Sequence, residues 1–134
     1  MPRQAKARTR VFYHVTFHPH RRLPALYAEV EAYFREAVPK IAKRGEFTAL
    51  EIGVVPTHVH LLIEKAPWAG LSQIIGEIKE NTSTAIFEQL PELALDMRTT
   101  RFWADGHHCE RHTEKSLETV RLYIRDQKRH HDLE

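Results

Sequence analysis

Two histidines separated by one apolar residue, His58-Val59-His60, open the run Thr57–Glu64. In an extended strand alternate side chains share a face, so both imidazoles point one way while Val59 enters the opposite layer. Paired imidazoles on a rigid strand are ready ligands for a divalent metal; the plainer reading is a half-buried strand with two polar residues. A second pair lies near the end of the chain. Tyr123 and Gln127 stand four residues apart, which puts them on one face of a helix. A tyrosine hydroxyl is a usable nucleophile, but phenols ionise near pH ~10 and gain from a metal that polarises the group under attack. Gln127 would add a carbonyl oxygen to the two histidine nitrogens, a three-ligand set with positions open for substrate. Alone, Tyr123 reads as a core or interface tyrosine and Gln127 as a solvent-facing residue. The combination raises their weight.

Several elements must bring these residues together. Arg10 to His18 alternates with period two and reads as a strand ended by Pro19. From Leu23 to Arg44, the residues Leu26, Val30, Tyr33, Phe34, Val38 and Ile41 recur at helical spacing. Pro39 predicts a kink or an early finish there, and Gly45 a cap. Phe47–Val55 and His58–Glu64, split by Pro56-Thr57, read as a hairpin. A second helix starts near Ser72, buries Ile74, Ile75, Ile78, Thr82, Ile86 and Phe87, and is interrupted by Pro91. Phe102-Trp103 opens a weaker strand towards Arg111, bent at Gly106. A final helix spans Lys115 to His130 with Leu117, Val120, Leu122 and Ile124 as its apolar contacts. This order predicts a single α+β domain over 1–134: an antiparallel sheet close to the split βαβ plan, packed with helices, plus one extra C-terminal helix that carries the tyrosine.

A chain of 134 residues suffices for one core, and no apolar run reaches membrane-span length. The single Cys109 excludes an intrachain disulfide and a cysteine-rich zinc site. With no apolar signal-like start, the expected location is the cytoplasm. Net charge is only +2, yet basic residues cluster at Arg3, Lys6, Arg8 and Arg10, at Arg21-Arg22, and at Arg121, Arg125, Lys128 and Arg129. Such clusters suit a polyanion or, equally, a solvated surface. His14 and His18 share a strand face and read as surface histidines. A zinc site among His107, His108, Cys109 and His112 is disfavoured. Trp103 belongs to the core, whereas Trp68, in a loop beside Pro67, is better placed to stack on a base.

The Thr57–Glu64 segment, Phe102-Trp103 before Gly106, the Ile78–Ser83 helix segment with Lys79, and the Tyr123–Gln127 run together resemble the single-tyrosine transposases of the HUH nuclease superfamily, those of insertion-sequence-200-like elements. The resemblance implies a ferredoxin-like sheet and a homodimer. It implies a metal, Mg²⁺ or Mn²⁺, on His58, His60 and Gln127. Tyr123 would attack single-stranded DNA beside a hairpin, leaving a 5′-phosphotyrosine and a free 3′-hydroxyl. Arg8, Arg10, Arg21, Arg22, Trp68, Lys79 and Arg125 are the expected nucleic-acid contacts. Tyr13-His14-Val15-Thr16 with Arg21-Arg22 also resembles a sister branch acting on dispersed repeat hairpins. The alternatives are such a domesticated role, a replication initiator of the superfamily, or a hairpin-binding module without catalysis.

Overall fold

Four extended segments build one sheet. The structure, a computed structural model, describes residues 10–127. Its strands are β1 (Val11–Phe17), β2 (Phe47–Val55), β3 (His58–Lys65) and β4 (His108–Thr113), ordered β2-β3-β1-β4 with every neighbouring pair antiparallel. The helices are α1 (Ala28–Arg44), α2 (Leu71–Gln89), α3 (Pro91–Met97) and α4 (Glu114–Arg125). The crossover from β1 through α1 to β2 leaves the slot that β3 fills, which is the split βαβ, ferredoxin-like plan.

The two faces of the sheet differ. Val15, Phe17, Val59, Leu61 and Ile63 point to one side, where Val30, Phe34 and Val38 of α1 and Ile75, Ile78 and Ile86 of α2 close the main core. Among the described residues only α4 packs on the other side, where Val120 and Ile124 meet Phe12 and Leu62 in a small second cluster. Beyond that cluster this face carries His14, Thr16, His58 and His60, with Val55 opposite His58. Among the described residues, no helix is long and apolar enough to cross a membrane.

Several boundaries depart from expectation. α1 starts at Ala28 rather than Leu23, because Leu23 precedes a proline and is biased to extended backbone. Ala25 and Leu26 are still buried, with the Leu26 amide donating to the Pro56 carbonyl at 3.0 Å. The helix passes through Pro39 and ends at Arg44, capped by Gly45. Pro39 and Arg35 are both exposed, so water can serve the Arg35 carbonyl that loses its partner. Pro91 ends α2 and also opens α3, at a first-turn position where its missing N–H costs nothing.

Phe102-Trp103 does not open a strand. Both rings are buried, Trp103 against Phe17 and Phe34 and Phe102 against Phe87. Trp103 makes one isolated bridge to Pro19, and β4 begins only at His108. The Trp103 indole N–H donates to Thr82 Oγ1 at 2.8 Å, and Thr82 in turn donates to the Ile78 carbonyl at 2.6 Å. Core packing therefore holds this segment, and Gly106 at φ +84° turns the chain into β4. On α4, Leu122 is 46% exposed rather than an apolar contact. The expected extension of that helix to His130 lies outside the described residues.

Candidate active site

The register places the histidines. His60 of β3 lies opposite Thr16 of β1 and Gly53 of β2, and His58 lies opposite Val55. His14 and Thr16 of β1, with His18 directly after the strand, alternate onto the same face and bring two more imidazoles there. The ring centroids run in a chain: His18 to His58 at 5.6 Å, His58 to His60 at 4.8 Å, and His60 to His14 at 5.0 Å. His14, set down as a surface histidine, is half-buried beside His60, and the even spacing that puts His14 and His18 on one strand face was the signal for it.

Hydrogen bonds orient these rings. His14 Nε2 lies 2.7 Å from His60 Nδ1, and Thr16 Oγ1 is 3.3 Å from the same nitrogen. His18 Nδ1 donates to the Thr57 carbonyl at 3.0 Å, and Thr57 Oγ1 holds His58 Nδ1 at 3.0 Å. Burial, then the neighbouring His14, His58 and His18, push the His60 pKa down to about 3. Burial also lowers that of His14. His60 is therefore a neutral imidazole near neutral pH.

α4 crosses this face because Val120 and Ile124 are apolar and because Glu51 of β2 accepts hydrogen bonds from Arg121 (3.2 Å) and Arg125 (2.5 Å). Gly53 makes the close approach possible: a Cβ there would overlap the Ile124 carbonyl and come within 3.1 Å of Gln127 Cγ. The Tyr123 ring consequently sits 6.0 Å from His60 and 6.1 Å from His14, with the residue 46% exposed. Gln127 is buried, not solvent-facing, and its side-chain amide donates to the Tyr123 carbonyl at 3.2 Å. The strand pair and the helix pair thus meet within one chain.

The set suits a divalent ion. His60 Nε2 is buried and has no hydrogen-bond partner among the described residues. If His60 Nδ1–H donates to His14 Nε2, the Nε2 lone pair faces outward, the tautomer a ligand needs. With His58 alongside and Gln127 packed over Gly53, the residue opposite His60, two nitrogens and one oxygen would suit a first-row or similar divalent ion.

The residues expected to touch nucleic acid scatter. Arg8 lies outside the described residues. Arg10 forms a two-point ion pair with Glu64, at 2.7 and 2.8 Å, near the end of β1 away from His60. Trp68 is 77% exposed but follows the far end of β3, where its N–H donates to Glu46. Lys79 Nζ donates to the Ala104 and Gly106 carbonyls, bracing the loop whose Ala104 amide bonds the His18 carbonyl. Arg125 is engaged by Glu51. Arg21 and Arg22 are exposed directly beyond His18, both in the left-handed backbone region (φ 56° and 55°).

Residues 7–127 match the family model described as "Transposase IS200 like". The chain is similar to the transposases for insertion element IS200 of Salmonella typhimurium and Salmonella typhi, at 27% identity over 86% of this chain and 75% of theirs. The fold is similar to a crystal structure from Deinococcus radiodurans R1 described as a candidate transposase, with TM-score 0.73 and 20% identity over 95% of this chain and 98% of that one. It is also similar to a REP-associated tyrosine transposase bound to a REP hairpin, with TM-score 0.64 and 17% identity over 98% and 73% of the two chains.

Proposed function

The chain belongs to the IS200-like transposase family, and from that footing we propose that it cleaves and rejoins single-stranded DNA beside a hairpin through a 5′-phosphotyrosine on Tyr123. The observation that carries this reading is the meeting of His58, His60, Tyr123 and Gln127 on one sheet face of one chain. In the cleavage step Tyr123 Oη loses its proton and bonds to the phosphorus. The P–O3′ bond breaks, and the departing oxygen takes up a proton to become a 3′-hydroxyl. Rejoining reverses the step with a new 3′-hydroxyl and needs no outside energy source.

His58, His60 and Gln127 would hold the divalent metal, Mg²⁺ or Mn²⁺. When bound, such an ion polarises the phosphoryl group and eases charge on the leaving oxygen. The chain's own residues do the positioning. His14 and Thr16 fix the His60 ring, Thr57 fixes His58, and Gly53 with Glu51 hold α4 so that Tyr123 stays above them. In this reading the tyrosine serves the site of its own chain. Arg21 and Arg22 meet the phosphates, and Lys79 shapes the neighbouring loop. The hairpin-bound neighbour supports a hairpin as the DNA partner. Pairing of two copies through the sheet belongs to the same reading.

Incubating the protein with an end-labelled single-stranded hairpin oligonucleotide and Mn²⁺ should give a covalent adduct that survives denaturing electrophoresis. Tyr123→Phe should abolish it and EDTA should suppress it. Adduct at the parent's level with Tyr123→Phe rules out this nucleophile.

A further inference from the structure

We propose that His14, Glu110 and His112 form a second divalent-metal site, selective for Zn²⁺, on the same sheet face but separate from His58, His60 and Gln127. The antiparallel register creates it. His14 of β1 lies directly opposite Glu110 of β4, and His112 lies two residues further along β4, on the same side. One ligand atom from each of the three lies within 4.8 Å of the others, and Glu110 Oε2 is already 3.5 Å from His112 Nε2. Ligands held tetrahedrally at zinc bond lengths stand roughly 3.4 Å apart, so side-chain rotations close the set. The rotation turns the His14 lone pair from His60 Nδ1 to the ion and leaves Thr16 Oγ1, at 3.3 Å, to accept from His60 Nδ1–H.

The state of His112 points to an ion rather than to an ion pair. Its Nδ1 lies 2.9 Å from Ser116 Oγ, and Ser116 Oγ donates towards the Thr113 carbonyl. The hydroxyl therefore accepts from Nδ1–H, which leaves the lone pair on Nε2. That nitrogen is buried and has no hydrogen-bond partner among the described residues. A buried polar atom without a partner is costly, and Glu110 Oε2, 3.5 Å away, is itself an acceptor and cannot satisfy a lone pair. A metal ion would satisfy it, with Ser116 as the outer partner that fixes the tautomer. Two imidazoles and one carboxylate suit Zn²⁺, and Glu110, which is exposed, leaves the fourth position to water. Cys109 takes no part: it lies opposite Val15, so its side chain belongs to the other face.

The test uses the full chain, stripped of metal, in a His58→Ala background that disables the first site and leaves His60 beside His14. Calorimetric titration should find one Zn²⁺ bound, and Co²⁺ should develop the visible absorption of a four-coordinate ion. Glu110→Gln, an exposed change, and His112→Asn should each weaken Zn²⁺ binding by at least roughly tenfold, with the circular dichroism of the metal-free parent retained. Absence of Zn²⁺ binding in the His58→Ala chain would overturn the proposal. So would binding that Glu110→Gln and His112→Asn both leave at full strength.

Discussion

His60 shows how a single residue type acquires a task from its surroundings. Burial among other histidines keeps it uncharged and leaves one nitrogen without a partner among the described residues, the condition a metal ligand requires. Thr82 shows the same logic in the core. Its hydroxyl accepts the Trp103 N–H and donates to a helix carbonyl, so one small polar group fixes the indole that closes the sheet. Thr82→Val keeps the shape but orphans the buried indole N–H, and should lower stability by about 1–3 kcal/mol. Urea unfolding followed by tryptophan fluorescence measures this; an unchanged midpoint would show that the hydrogen bond contributes nothing.

At the scale of elements, the position of α4 decides whether a site exists. Glu51 is the polar anchor. Burial pushes its carboxyl up, but hydrogen bonds from Arg125 and Arg121 outweigh that and hold it below the usual carboxylate range. A depressed folded value means the contribution is complete above the unfolded pKa of about 4.3 and disappears as pH falls through the folded value. Glu51→Gln should therefore melt at a lower temperature than the parent at pH 7, with the gap closing in acid below about pH 4; a gap that persists there would contradict the assignment. Gly53 is the steric anchor. Gly53→Ala drives a methyl into the Ile124 carbonyl and should cost about 1–3 kcal/mol. Because the displaced helix carries Tyr123 and Gln127, adduct formation should fall by more than this loss of stability explains. Parent-level adduct from a destabilised Gly53→Ala would separate helix docking from chemistry.

For the whole molecule, the small net charge matters less than where the cations end up. Arg10 and Arg125 are neutralised by Glu64 and Glu51, and Lys79 is turned inward to two carbonyls, while Arg21 and Arg22 remain exposed at the histidine end. If these two carry phosphate contacts, the double change to alanine should weaken binding of a single-stranded hairpin. It should also flatten the dependence of log K on log salt by about 1.4, since each contact on a single strand contributes about 0.7. Fluorescence anisotropy across a salt series reads both, and an unchanged slope would move the DNA track elsewhere.

Local periodicity was enough to place β1, the β2–β3 hairpin and the buried stripes of α1 and α2, because the alternation of 2.0 or 3.6 residues is written in consecutive side chains. It was also enough to put His58 with His60, and Tyr123 with Gln127. It misplaced β4, since Phe102 and Trp103 look like strand residues until the contacts of Phe102 with Phe87 and of Trp103 with Phe17 and Phe34 are known. It left α3 unseen, because a proline reads the same whether it ends a helix or starts one. Which pairs meet was a matter for the tertiary structure alone. Strand order and register bring His14 to His60 and to Glu110, and a glycine in β2 admits the helix that delivers Tyr123. Those contacts join residues about forty to one hundred positions apart, and no spacing along the chain encodes a distance that only packing creates.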